Sequence, residues 1–171
     1  MSKNLVLTGM MGVGKSTIGK SLADKLSYKF VDIDNLIEKK EGNTIDKIFH
    51  TKGENYFRQI ENKISIEQLK KDKIVISLGG GAFLNSSIRR AVKNSSISFW
   101  LDVSAELLVK RLKKNKKRPL LRNKNLNEIV KKIYLERKKT YSEADFKVKC
   151  NFLKPDIICL LYTSDAADDV I

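Results

Sequence analysis

Residues 4–17 read Asn-Leu-Val-Leu-Thr-Gly-Met-Met-Gly-Val-Gly-Lys-Ser-Thr, and this stretch decides the fold class. Leu5 to Thr8 is apolar and β-prone, a strand running into a turn. From about Lys15 to Ser27 the apolar positions Ile18, Leu22 and Leu26 recur every four residues, as one buried helix face requires. Between them, Gly9 to Ser16 fits the phosphate-loop pattern G-x-x-x-x-G-K-[ST]. The glycines let successive backbone N–H groups turn inward around phosphate oxygens, and the helix N-terminus adds its dipole. Lys15 bridges terminal phosphates as a point charge, and Ser16 supplies an oxygen ligand for Mg²⁺. The alternative is a Gly-rich turn without a ligand. A strand before and a helix after favour phosphate.

Outward from this loop, short apolar runs alternate with helical patterns. Tyr28 to Ile33 reads as a second strand ending in Asp32-Ile33-Asp34. Helical segments fill Leu36 to Leu69, broken near Gly42 and Gly53, with Thr44 as an N-cap. Ile74 to Leu78 is solidly apolar, hence a strand inside the sheet, and it runs into Gly79-Gly80-Gly81. Asn85 caps a helix, Ile97 to Val103 is a fourth strand, and Ser104 caps a helix through Lys114. Asn115 to Asn125 is a basic polar loop, Leu126 to Ala144 is helical, and Phe146 to Cys150 is a fifth strand. Strands separated by helices imply right-handed crossovers and a parallel sheet covered on both faces. Ligands then collect at the carboxyl ends of the strands, where every Gly cluster and the acidic pair fall.

Composition narrows the function classes. The 171 residues are 42% hydrophobic and 32% charged, which suits one globular domain. A net charge of +14 invites a nucleic-acid reading, but 27 of the 34 basic residues are lysine and only 7 arginine. Base readout and phosphate clamps favour arginine, so most of the excess reads as solvated surface. No apolar run approaches a membrane span, and no secretory leader pattern opens the chain, so a cytoplasmic location is expected. Cys150 and Cys159 form neither a metal pattern nor a disulfide framework.

Four further clusters carry chemistry. Asp32 and Asp34, at i and i+2 on a strand end, would point the same way: one toward Mg²⁺ through water, the other toward a substrate hydroxyl. Helix capping is the plainer role for such a pair. Phe57-Arg58-x-x-Glu61 places Arg58 and Glu61 one turn apart, an ion pair able to fix the guanidinium or merely to decorate a surface. Gly79, Gly80 and Gly81 allow a ligand close to the backbone. Arg118-Pro119-Leu120-Leu121 sits in the basic loop, and Glu136-Arg137 with Tyr141-x-Glu143-Ala144-Asp145 closes the long helix.

Taken together, the G-M-M-G-V-G-K-S loop, D-I-D, F-R-x-x-E, G-G-G, R-P-L-L and E-R…Y-x-E-A-D resemble shikimate kinase, in this order, from the first strand to about Pro155. The resemblance implies a three-layer α/β/α P-loop NTPase fold with a five-stranded parallel sheet, a helical substrate-binding segment and a mobile lid. It implies one kinase domain over residues 1–159, with the substrate segment at about 33–61 and the lid at about 112–125. The implied reaction is ATP-dependent phosphorylation of the 3-hydroxyl of shikimate, on the way to chorismate and the aromatic amino acids. Gly9, Met11, Gly12, Val13, Gly14, Lys15, Ser16 and Thr17 would hold the nucleotide phosphates, and Pro155 would belong to an adenine-contacting loop. Ser16 would bind Mg²⁺ directly and Asp32 through water. Asp34 would contact the shikimate hydroxyls and orient or deprotonate the attacking one. Arg58 and Arg137 would grip the carboxylate, helped by the backbone of Gly79, Gly80 and Gly81. Lys15, Asp34 and Arg118 form the expected catalytic set, Arg118 from the lid. The expected partners are ATP and shikimate, with no nucleic acid or membrane and a monomeric state.

Two rivals remain at this point. A gluconate or nucleoside monophosphate kinase shares the loop, but two arginines beside a Gly triplet favour a small hydroxylated carboxylate. A basic nucleic-acid binder would show steeply salt-dependent binding and no acceptor-dependent ADP release. The basic excess is local: residues 104–149 hold 16 lysines and arginines against 5 acidic residues, over the expected lid and its flanking helices. Leu160 to Ile171 has no basic residue, unlike the rest of the chain, and reads either as an acidic tail or as non-native sequence. Leu153 stands where the family often has arginine.

Overall fold

The strand before the phosphate loop occupies the middle of the sheet. In the computed structural model, which describes residues 3–114 and 125–151, the strands are β1 (Asn4–Thr8), β2 (Lys29–Asp32), β3 (Ile74–Ser77), β4 (Ser96–Asp102) and β5 (Phe146–Lys149). All neighbours are parallel, in the order β2-β3-β1-β4-β5. Val6 pairs with Ile76 on one side and Ser98 on the other, and all four β3 residues are buried. A continuous apolar run is what a strand covered on both faces requires.

Helices α1 (Lys15–Leu26), α2 (Ile33–Glu41), α3 (Ile45–Leu69), α4 (Ser86–Ser95), α5 (Ala105–Lys113) and α6 (Leu126–Tyr141) fill the crossovers. The chain leaves β1 toward β2, and the three later crossovers run the opposite way across the sheet. With right-handed crossovers this separates α1 from α3 and α4, which pack on each other. The reversal occurs beside β1, so the crevice at its carboxyl end is the ligand position of such a sheet.

Local signals set the boundaries. Thr44 accepts a hydrogen bond from the Lys47 N–H (3.3 Å), Asn85 from Ser87 and Ile88, and Ser104 from Leu107. Gly42 ends α2, and Gly53 breaks α3 with φ 82° and ψ 168°. Far-apart elements are tied by one buried side chain. Asn4 donates to the Leu69 and Lys71 carbonyls and accepts from the Ile74 N–H, so β1 holds the α3–β3 turn.

One boundary corrects the sequence reading. β2 stops at Asp32, and Asp34 lies in the first turn of α2 rather than two residues along a strand. The Asp32 carboxylate accepts from the Asn35 N–H (3.1 Å), so it caps α2 and bends the chain out of the strand early. α6 likewise ends at Tyr141, three residues short of the expected end. Arg118, Pro155, Leu153, Cys159 and the segment 160–171 lie outside the described residues, as does most of the expected lid. Cys150 is buried, which pushes its thiol up to about 11 and leaves it inert as a nucleophile.

Candidate active site

The phosphate loop joins β1 to α1 through three glycines with positive φ: Gly9 (134°), Gly12 (81°) and Gly14 (101°). Gly9 is doubly constrained. A Cβ there would stand 2.6 Å from the Leu101 carbonyl oxygen, so no larger residue fits between β1 and β4. Gly14 caps α1 in the left-handed region without a side-chain cap, and the first N–H groups of a helix are the ones that suit an anion. The Lys15 ammonium donates to the carbonyls of Gly9 (2.8 Å) and Met10 (3.0 Å), which holds it across the loop. Arg111 of α5 donates to the Val13 carbonyl at 3.1 Å and braces the loop from the other side. Nothing local in the sequence distinguishes Arg111 from its basic neighbours, because its partner lies 98 residues away.

Ser16 opens α1 and Asp32 ends β2. The Ser16 hydroxyl donates to one Asp32 carboxylate oxygen while the other caps α2. A hydroxyl and a carboxylate in contact at the mouth of a phosphate loop are the hard-oxygen donors that Mg²⁺ takes. Among the described residues no cluster of three His, Cys, Asp or Glu side chains could hold a metal by itself. This donor pair therefore suits an ion completing its shell with phosphate oxygens and water.

Beside the loop, the turn after β3 gathers the other expected residues. A Cβ on Gly79 would lie 2.6 Å from Asp34 Oδ1 and 2.7 Å from Glu61 Oε1. One on Gly81 would lie 2.8 Å from both terminal nitrogens of Arg58, and one on Gly80 3.6 Å from Arg137 Nη1. Gly79 and Gly81 leave the room in which these charged groups close on the backbone, whereas a Cβ at Gly80 would make ordinary contacts. Arg58 donates to Glu61 at 2.7 Å and to Glu54 at 3.3 Å, while Arg137 donates to the Gly80 carbonyl at 2.9 Å. Thus α2, α3 and α6 deliver Asp34, Arg58 and Arg137 to one Gly turn, next to the loop carrying Lys15. A Cβ on Gly80 would also lie 3.4 Å from the Met11 nitrogen, so the turn and the loop adjoin there.

Glu61 is more than the surface partner its spacing allowed. Its side chain is 3% exposed, and burial pushes its carboxyl above the ordinary range, with Arg58 and then Arg137 pulling it down and Asp34 pushing it up. Burial outweighs the pairing. Any stability tied to this proton is present below the ordinary carboxylate range and is lost as pH rises through the folded value. Arg58→Met removes the main opposing charge, so the Glu61 carboxyl is expected to titrate at still higher pH. Carboxyl ¹³C NMR titration of both proteins measures this, and an unchanged or lower value would refute the pairing.

A family model of shikimate kinase matches residues 11–163. The chain belongs to the shikimate kinase family. It is 43% identical over 153 residues to the shikimate kinase of Persephonella marina, covering 90% of this chain and 92% of that protein. Identity to the Sulfurihydrogenibium sp. shikimate kinase is 44% over 156 residues, 91% of this chain and 93% of that one. The Acinetobacter baumannii shikimate kinase, solved in complex with shikimate, superposes with a TM-score of 0.93 at 30% identity, covering 99% and 95% of the two chains. A Sinorhizobium meliloti gluconokinase reaches a TM-score of 0.62 at 17% identity over 98% of this chain and 93% of its own, a likeness of fold alone. The α/β class and five-stranded parallel sheet of the sequence reading hold. The chain is an ATP-dependent enzyme that phosphorylates shikimate in aromatic amino acid biosynthesis.

Proposed function

We propose that this enzyme transfers the γ-phosphoryl group of ATP to the 3-hydroxyl of shikimate with a division of labour set by three clusters. The loop from Gly9 to Thr17, including Met11, Gly12, Val13 and Gly14, cradles the phosphates, with Lys15 neutralising charge on the terminal ones. Ser16 would hold Mg²⁺ directly and Asp32 through water, and the bound ion would supply charge neutralisation for the transferred phosphoryl group. Arg58 and Arg137 grip the substrate carboxylate as a fork, and the Gly79–Gly81 turn lets the substrate close on backbone. Asp34 orients the attacking hydroxyl and takes its proton. Phosphoryl transfer needs alignment and charge neutralisation more than covalent chemistry, so no protein nucleophile is required.

One observation carries this reading: the convergence of Asp34, Arg58 and Arg137 on Gly79–Gly81, beside Lys15. A carboxylate base at one end and two guanidinium groups at the other fit an acceptor with a hydroxyl and a carboxylate. Arg118 and Pro155 complete the proposal from the lid and the adenine loop. The segment 33–61 serves the acceptor, residues 112–125 the lid, and residues 1–159 form one kinase domain. The enzyme works as a cytoplasmic monomer on two small anions, without a nucleic-acid or membrane partner. No described helix is long and apolar enough to cross a membrane.

Coupled ADP release with ATP, Mg²⁺ and a panel of shikimate, gluconate and nucleoside monophosphates tests the acceptor. Shikimate is expected to stimulate release at least about tenfold over the others, the discrimination that fitted polar contacts supply. Equal stimulation by gluconate, itself a hydroxylated carboxylate, would refute the assignment of shikimate as the preferred acceptor, and equal stimulation by a nucleoside monophosphate would refute the carboxylate fork. Product NMR then reports which hydroxyl carries the phosphate.

A further inference from the structure

The Tyr141-x-Glu143-Ala144-Asp145 signature has no role in the chemistry above, yet all three of its polar side chains bind across the fold. Asp145 accepts from the Ser98 N–H (2.8 Å) and hydroxyl (2.6 Å), which pins the end of α6 to β4. Glu143 pairs with Arg89 at 3.0 Å, and Arg89 donates to the carbonyls of Phe83 (3.0 Å) and Leu84 (2.8 Å), just beyond the Gly turn. Tyr141 is fully buried, and its hydroxyl donates to the Gly80 carbonyl, the same oxygen that takes Arg137 Nη1. Three contacts thus fasten the end of α6 to the turn and the strand beside it.

We propose that Tyr141 is a positioning residue for the acceptor carboxylate, anchoring the Gly80–Gly81 peptide and the Arg137 guanidinium to each other through one shared carbonyl. This rests on the reading of Arg137 as a carboxylate ligand. The peptide unit is planar, so fixing the Gly80 carbonyl fixes the Gly81 N–H on its opposite side, in the glycine that abuts Arg58. Arg137 spends one N–H of its fork on Gly80, and that bond aims the rest. A second donor on the carbonyl holds it in place when the arginine is drawn toward an anion. The Tyr141 ring is itself held, 6.0 Å from the Trp100 ring with its hydroxyl 4.0 Å from Met10 Sδ. Burial pushes the phenol above its ordinary range, so it stays a donor at neutral pH.

Tyr141→Phe in the full chain keeps the ring and removes the donor. The KM for shikimate is expected to rise about five- to tenfold, the scale of one lost hydrogen bond, with kcat and the KM for ATP within about twofold. Shikimate methyl ester, which lacks the carboxylate charge, is expected to change by less than about twofold, so preference for the acid falls. A purely structural role would affect both acceptors alike. An unchanged shikimate KM, or equal increases for acid and ester, would overturn the proposal. If the phenylalanine variant does not fold, fluorotyrosine at position 141 keeps the hydroxyl. Its ¹⁹F resonance is expected to shift on saturation with shikimate and not with the ester, and no such difference overturns the proposal. Arg137→Ala separates the levels: a normal shikimate KM there defeats the carboxylate reading itself. A raised KM in Arg137→Ala beside a normal one in Tyr141→Phe defeats the positioning role alone.

Discussion

Asp34→Asn is expected to lower kcat with shikimate by about 10²- to 10⁴-fold, the range for losing a positioned general base. Asparagine matches the carboxylate in shape, so the close approach of this side chain to Gly79 survives. What it cannot do is accept the hydroxyl proton. The KM for ATP should stay within about twofold, because Lys15 and the loop are untouched. Asp34 also lies in the first turn of α2, where a negative charge favours the helix by about 0.3–1 kcal/mol. That smaller effect gives the competing reading a distinct signature. If Asp34 served only the helix, the variant would melt a few degrees lower and turn over at the wild-type rate. Steady-state kinetics beside a thermal melt separates the two outcomes.

Lys15→Met is expected to lower kcat by about 10²- to 10³-fold, comparable to removing one preorganised donor from a developing anion. Methionine retains much of the stem and loses the ammonium. In the structure that ammonium spans the Gly9 and Met10 carbonyls at 2.8 and 3.0 Å, so it sits across the mouth of the loop. The variant should bind ATP more weakly while shikimate affinity, measured by calorimetry without nucleotide, remains near wild type. Wild-type turnover would remove Lys15 from the chemistry and leave it a loop strut. Loss of shikimate binding would mean that the variant has disturbed the place where the loop and the Gly80 turn adjoin instead.

Much of this architecture was readable because its signals are local. The loop from Gly9 to Ser16 announces its own strand and helix, and Thr44, Asn85 and Ser104 each cap the helix they precede. Asp34 was placed in the wrong element: a two-residue alternation is the same whether the strand runs on or, as here, stops at a capping aspartate. The Arg58–Glu61 spacing likewise fits a solvated pair as well as a buried one. Only the glycine turn packed against it decides, and that burial is not written at i and i+3. Tyr141 and Asp145 were least legible, since their partners Gly80 and Ser98 lie 61 and 47 residues away. Pairings over such distances emerge only when the crossovers have brought α6 back over the β3 turn.

The break at Gly53 has a consequence for how the acceptor site can vary. An unbroken helix advances about 100° per residue, so its two ends are locked in phase. Gly53 resets that phase between the segment burying Ile48 and the one presenting Arg58 and Glu61. Deleting it would leave a good helix with its far half rotated, carrying Arg58 off Gly81 and Glu61 off Gly79 together. This one glycine works as an indexing joint: the two charged groups can be aimed as a set without disturbing the packing that precedes them.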